Sequence, residues 1–222
     1  MSYFVKIPRW LQKLYGNYTW DLPAQEKVVY LTFDDGPDET VTPFILDSLK
    51  AHGAKASFFC IGKNAEQHSA LLQRILAEGH SLGSHTWNHS VGWLTKNDEY
   101  YRDVTAAAAL VKTNLFRPPF GRLTPRQGRV LQKQMGLDLV MWSITSGDFD
   151  SNLSPERCLN NVLKHVYPGA IVLLHDNLKA AVNLRFVLPK LLAELMNDGY
   201  RFAALPMKQK RFNVPEEQQG SF

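Results

Sequence analysis

The chain has 222 residues, 45% hydrophobic and 21% charged, which is enough apolar material for one packed domain and too much for a disordered segment. No apolar run approaches the roughly 18 residues of a membrane-spanning helix, and two cysteines cannot build a disulfide framework or an all-cysteine metal site. A formal net charge of +4 is too mild to argue for nucleic acid as a partner.

At the N-terminus, Lys6, Pro8, Arg9, Gln12 and Lys13 interrupt every apolar run, so a secretory leader pattern is not met. Without a leader and with isolated cysteines, the expected location is cytoplasmic. Ile7, Trp10, Leu11 and Leu14 fall at helical spacing among basic residues. That pattern fits a short helix packing on its own domain, and also fits peripheral membrane contact through residues 1–20. The packing reading is preferred because the stretch is short and its basic residues few. The expected organisation is an N-terminal segment 1–26, a domain 27–207 and a loose polar tail 208–222.

The first strand-like run, 28–33, leads into Asp34-Asp35-Gly36-Pro37. Side chains alternate along a strand, so adjacent carboxylates at its end point different ways. One can hold a metal while the other handles a proton, or both can be solvated acids of an Asp-Gly-Pro turn. A helix over 43–51 begins near Pro43, and a second run, 56–61, contains Cys60, read as a small core residue. Leu71, Leu72, Ile75 and Leu76 predict a helix over 66–78 that stops at Gly79. The run 81–84 delivers His85-Thr86-Trp87-Asn88-His89, two histidines four apart. On a helical turn they would share a face and could bind one ion; by chance alone they are unrelated.

An alanine-rich helix is predicted over 97–113, followed by the run 115–116 and Arg117-Pro118-Pro119-Phe120-Gly121. Two prolines fix this backbone, and the arginine ahead of them can clamp a carboxylate or sit on the surface. A helix over 125–135 follows Thr124-Pro125, then a run 139–142 and a polar loop holding Asp148, Phe149 and Asp150. A capped helix over 155–166 follows Ser154, the run 171–174 ends at His175, and a helix 184–197 precedes a last run, 202–205. Cys158 lies near a helix start with no activating partner in the pattern. His52, His68, His80 and His165 fall in or beside helix patterns and are read as structural or solvated.

Seven strand–helix alternations about 30 residues apart predict α/β architecture, and continuous apolar strands predict a parallel sheet buried on both faces. No G-x-G-x-x-G follows the first strand, which counts against a dinucleotide-binding open sheet. Asp34-Asp35, His85, Arg117, Ser143 and His175 all fall at strand ends, where barrel enzymes collect their chemistry. The expected fold is therefore a distorted (β/α) barrel of about seven parallel strands.

The ordered set Thr32-Phe33-Asp34-Asp35-Gly36-Pro37, His85-x-x-x-His89, Phe116-Arg117-Pro118-Pro119-Phe120-Gly121, Trp142 with Asp148, and Leu173-Leu174-His175 resembles the polysaccharide deacetylases with a NodB-homology domain, carbohydrate esterase family four. The resemblance spans roughly residues 27–206 and implies the same distorted barrel. It implies Asp34 as catalytic base, Asp35, His85 and His89 as metal ligands, and Arg117 as the arginine holding the base. It implies the Phe120 N–H, after Pro119, as oxyanion donor, Asp148 with His175 as the general-acid pair, and Leu173 and Phe149 as groove residues. Zinc is the implied metal; cobalt and nickel suit the same ligands. The implied reaction is removal of N-acetyl groups from N-acetylglucosamine-containing glycans of the peptidoglycan or chitin type; the expected state of the chain is a monomer. This chain departs from the family where Phe120 replaces a tyrosine, Thr145 an aspartate and Phe149 a tryptophan, which bears on substrate preference. The alternatives are deacylation of another amide or O-acetyl ester, and a catalytically silent glycan-binding module.

Overall fold

The computed structural model describes residues 3–15 and 17–207; the predicted tail 208–222 lies outside the described residues. A short helix α1 (Arg9–Leu14) precedes β1 (Val28–Asp34), α2 (Val41–Ala51), β2 (Ala56–Cys60), α3 (Gly62–Gln67), α4 (Ser69–Ala77) and β3 (Ser81–Ser84). Then come α5 (Asn97–Val111), β4 (Leu115–Phe116), α6 (Pro125–Lys133), β5 (Asp138–Leu139) and β6 (Ile144–Thr145). The chain continues through α7 (Pro155–Leu163), β7 (Ile171–His175), α8 (Ala181–Asn197) and β8 (Arg201–Phe202).

The strands follow the order β5-β4-β3-β2-β1-β7-β6, with every pairing parallel, as a curled half-barrel. The seven-strand expectation holds. The predicted last strand is the short β8, which pairs with Val28 and Val29 at the start of β1, where β2 has not yet begun. β1 lies between β2 and β7, with Asp34 level with Phe59 and His175.

Strand alternation sorts the residues by face. Val29, Leu31 and Phe33 of β1 join Phe58 and Cys60 of β2 and Val172 and Leu174 of β7 in the main core, against helices α2, α7 and α8. The intervening residues Thr32, Asp34, Phe59, Leu173 and His175 therefore share the concave face. Fully burying a Leu, Val or Phe contributes about 1.5–3 kcal/mol each, so the outer face holds the fold while the inner face is left for chemistry.

Of the predicted strand 139–142 only Leu139 lies in a strand, the end of β5; the chain then breaks, and β6 follows at Ile144–Thr145, a strand the sequence did not predict. The Arg117 side chain explains the break: its Nε donates to the Val140 carbonyl (3.1 Å) and its Nη2 to the Met141 carbonyl (2.8 Å). Carbonyls turned toward the guanidinium point away from a neighbouring strand and are satisfied there instead of in a ladder. The predicted helix 66–78 is likewise two helices broken at His68. The half-barrel stays open between β5 and β6, and the N-terminal segment bridges that seam. Thr19 N–H donates to Leu139 and Met141 N–H to Thr19, while Ile7 N–H donates to Ser143 and Thr145 N–H to Val5. Ile7 and Trp20 are buried against Met141, whereas the helix between them has no buried residue, with Trp10 65% and Leu14 69% exposed.

Candidate active site

The site gathers at the carboxyl ends of β1, β3, β4 and β7. Asp34, the last residue of β1, points into the concave face and meets Arg117 Nη1 at 2.6 Å. Arg117 is fully buried, and each of its three nitrogens is engaged: Thr32 Oγ1 at 2.8 Å joins Asp34 and the two carbonyls named above. Its guanidinium lies 4.1 Å over the Phe59 ring and 5.7 Å from Trp142. A buried cation of this kind is tolerable only with a counter-charge and full hydrogen bonding, and Asp34 is that counter-charge.

Asp35 has left the strand with φ 84, in the left-handed region, which swings its carboxylate away from Arg117. Its Oδ1 lies 3.2 Å from His89 Nε2 and 3.6 Å from His85 Nε2, and its Oδ2 accepts from Asn177 Nδ2 at 2.7 Å. Burial opposes the ionised form, but the His89 contact and the charges of His175, His85 and His89 hold the Asp35 carboxyl well below the usual range. Gly36 allows this turn because a side chain there would collide with the Asp176 carboxylate, which accepts from Gly36 N–H at 2.8 Å and from the Thr42 hydroxyl at 2.9 Å.

The two histidines do converge, but not on a helix as expected. Residues 85–91 form a loop in which Thr86 (φ 64) and His89 (φ 59) are both left-handed. Asp103 of α5 folds that loop by accepting from Trp87 N–H, Asn88 N–H and the Asn88 amide. The imidazole centroids end 5.1 Å apart. His85 Nδ1 sits 2.7 Å from the Arg117 carbonyl, so Nδ1 carries the proton and Nε2 is left as a lone-pair donor. Asp35, His85 and His89 each present one ligand atom, all within 4.8 Å of one another. One carboxylate oxygen and two imidazole nitrogens are the donor set of a divalent transition metal with open positions.

Across the cleft, Asp148 Oδ1 meets His175 Nδ1 at 2.9 Å, and Asp148 Oδ2 accepts from His175 N–H at 2.8 Å. Burial disfavours the imidazolium, but the Asp148 charge and hydrogen bond, with Asp35 and Asp34 behind them, lift His175 to about 9. Phe149 stands edge-on to His175, centroids 5.2 Å apart, and Tyr3 leans on Phe149 at the same separation. Phe120 is held at φ 59, exposed, with its ring edge-on to His89 at 5.0 Å. Among the described residues no acceptor takes the Phe120 N–H. Pro119 and Leu173 are buried beneath this rim.

The family model for polysaccharide deacetylases matches residues 21–140. The chain belongs to the polysaccharide deacetylase family. A peptidoglycan-N-acetylglucosamine deacetylase of Bacillus cereus is 35% identical over 86% of this polysaccharide deacetylase and 92% of its own length. The crystal structure of the Bc1960 peptidoglycan N-acetylglucosamine deacetylase superposes with a TM-score of 0.83 at 32% identity, covering 92% of this chain and 99% of that one. BA3943 of Bacillus anthracis, described as a family pseudoenzyme, shares the fold (TM-score 0.74, 23% identity, 84% of this chain and 66% of that one). The fold of a polysaccharide deacetylase therefore does not by itself establish turnover, and the site geometry has to carry that argument.

Of the eleven residues singled out from the sequence, Asp34, Asp35, His85, His89, Arg117, Phe120, Asp148, Phe149 and His175 make the contacts described above, and Pro119 and Leu173 are buried. The other histidines stand apart: His80 is buried with its Nδ1 accepting from Ala56 N–H, and burial pulls it down to about 4. Cys60 and Cys158 are both free and buried, and burial pushes Cys158 up to about 11, the reverse of an activated thiol. Sequence reasoning missed Asn177, Asp103 and Tyr3, and it quoted Thr32 within the first motif without giving it a role. Only Asn177, two residues beyond His175, carried a signal, since a polar residue there shares the strand-end rim.

Proposed function

We propose that this polysaccharide deacetylase is a metal-dependent hydrolase that removes the N-acetyl group from N-acetylglucosamine residues of peptidoglycan, releasing acetate. The observation that carries this reading is the convergence on one cleft of a three-ligand donor set, a carboxylate clamped by a buried arginine, and a carboxylate-supported histidine. The kinship to peptidoglycan deacetylases of similar length supports the substrate class.

Asp35, His85 and His89 would hold the metal, with zinc the proposed ion and cobalt or nickel suited to the same donors. A divalent cation bound there supplies Lewis acidity and a water acidified toward neutrality. Asp34 accepts a proton from the attacking water, and Arg117 keeps that carboxylate ionised and aimed. The water oxygen bonds to the acetamide carbon, and the Phe120 N–H donates to the oxyanion that develops. His175, held as imidazolium by Asp148, gives its proton to the sugar nitrogen as the C–N bond breaks, leaving acetate and an amine. Leu173 and Phe149 border the space for the acetyl group and the sugar ring, and Pro119 fixes the turn that presents the donor.

The test is acetate release from peptidoglycan strands and from an N-acetylglucosamine oligomer, with metal content measured on the same sample. Acetate that disappears on chelation and returns with zinc or cobalt is the expected result. A fully metallated protein that releases none from either glycan would overturn the proposal and favour another acyl substrate or a binding role.

A further inference from the structure

Outside the cleft just described, one exposed cluster adjoins it directly. From His89 outward, Phe120 follows at 5.0 Å, the Arg122 guanidinium at 5.7 Å from the Phe120 ring, and the Trp93 ring at 5.1 Å from Arg122. Trp93 is 53% and Phe120 59% exposed, a high value for large aromatic side chains on a monomer surface. The arrangement is built rather than loose. Gly92 packs so closely on the Arg122 carbonyl, Gln127 and Leu123 that a side chain there would have no room. The buried Gln127 amide donates to the Gly92 carbonyl at 2.8 Å, pinning the turn that carries Trp93 to the start of α6. Among the described residues no carboxylate lies within ion-pair distance of Arg122, and its planar face is already ordered by two rings.

A rigid aromatic pair with an unpaired guanidinium between them matches a sugar ring that bears a carboxylate. The apolar faces of pyranose rings lie against aromatic rings, and a guanidinium stacked on an aromatic still offers its edge as a two-pronged donor to carboxylate. We infer that Trp93, Arg122 and Phe120 form a subsite for an acidic sugar of the glycan chain, holding the lactyl carboxylate of a muramic-type residue beside the acetylated sugar in the cleft. The inference rests on the deacetylase reading above and sharpens its substrate. A neutral chitin-type chain would use the rings alone, whereas a peptidoglycan-type chain whose lactyl groups are free of peptide would use the arginine as well. The lactyl group is the carboxylate assigned because it is carried on the sugar ring itself, close to the rings that stack on the guanidinium, whereas peptide carboxylates lie further out along the stem.

The experiment compares kcat/KM for wild type, Arg122→Gln, Arg122→Lys and Trp93→Ala on three glycans of equal length. These are a neutral N-acetylglucosamine oligomer, peptidoglycan strands stripped of peptide so that the lactyl carboxylate is free, and strands with peptide stems attached. Arg122→Gln is expected to lower the preference for stripped strand over neutral oligomer about tenfold, chiefly through KM, with Arg122→Lys between it and wild type. Trp93→Ala is expected to raise KM on all three. An unchanged preference in Arg122→Gln would overturn the subsite, and a preference lost only on stemmed strands would assign the arginine to peptide carboxylates and overturn the lactyl assignment. Unchanged thermal midpoints in all three variants separate loss of recognition from loss of fold. Wild-type protein inactive on every glycan would mark failure of the deacetylase reading itself, a result distinct from an active enzyme with a flat variant profile.

Discussion

Asp34 and Asp35 are neighbours with the same side chain and opposite surroundings, and the difference sets separate expectations for their replacement. Asp34→Asn removes a proton acceptor and no ligand, so metal content should stay near wild type while kcat falls about 10²–10⁴-fold, checked by metal analysis beside acetate release. Asn177→Ala frees the second oxygen of Asp35, and loss of such a supporting hydrogen bond should weaken metal affinity about 10–100-fold, measured by competition with a chelator. His175 gives a pH prediction whose sign follows from its pKa of about 9. The acid form is needed, so the rate should fall as pH rises through the His175 value, and Asp148→Asn should move that alkaline limb to lower pH in a kcat/KM profile. The same raised value links pH to stability in the metal-free protein. The pair's stabilisation is complete below the unfolded value near pH 6.5 and fades toward about pH 9, which urea unfolding at the two ends would detect.

At the scale of elements, the strands were legible where short apolar runs end in a polar residue, as in β1, β3, β4 and β7. The first three of the chemistry-bearing turns were legible for the same reason, since each begins where a strand stops. The break between β5 and β6 was not, because its cause is a side chain two dozen residues upstream: Arg117 claims the Val140 and Met141 carbonyls. Nor could local spacing show that His85 and His89 meet through a left-handed loop shaped by Asp103, a residue that reads only as one acid in an alanine-rich helix. The start of α6 behaved as its residues dictate. Thr124 and Gln127 form a reciprocal capping box with Pro125 in the first turn. Thr124→Ala should cost about 1 kcal/mol, a lowering of roughly 2–4 °C in thermal midpoint for a domain of this size, read by calorimetry.

For the whole molecule, the half-barrel has two edge strands, β5 and β6, and the stretches around residues 5–7 and 19 occupy both. Deleting residues 3–21 would strip those partners, leaving open ladders and a bare apolar patch at Met141. Such a protein should self-associate, and sedimentation velocity should show oligomers where the full chain shows one slower species. The same deletion removes Tyr3, so Phe149 loses its support beside His175 and activity should drop in whatever monomer remains.

That seam also imposes an order on how the molecule comes into being. On the ribosome the stretch around Val5 and Ile7 is synthesised long before Ser143 and Thr145, the partners it must join. The β1–β2–β3 ladder can assemble from near neighbours while translation continues, but the seam has nothing to close against until the second half of the chain has emerged. Residues made well before their partners are thus among the last to dock, and for that interval Ile7 and Trp20 are apolar surface waiting for a partner.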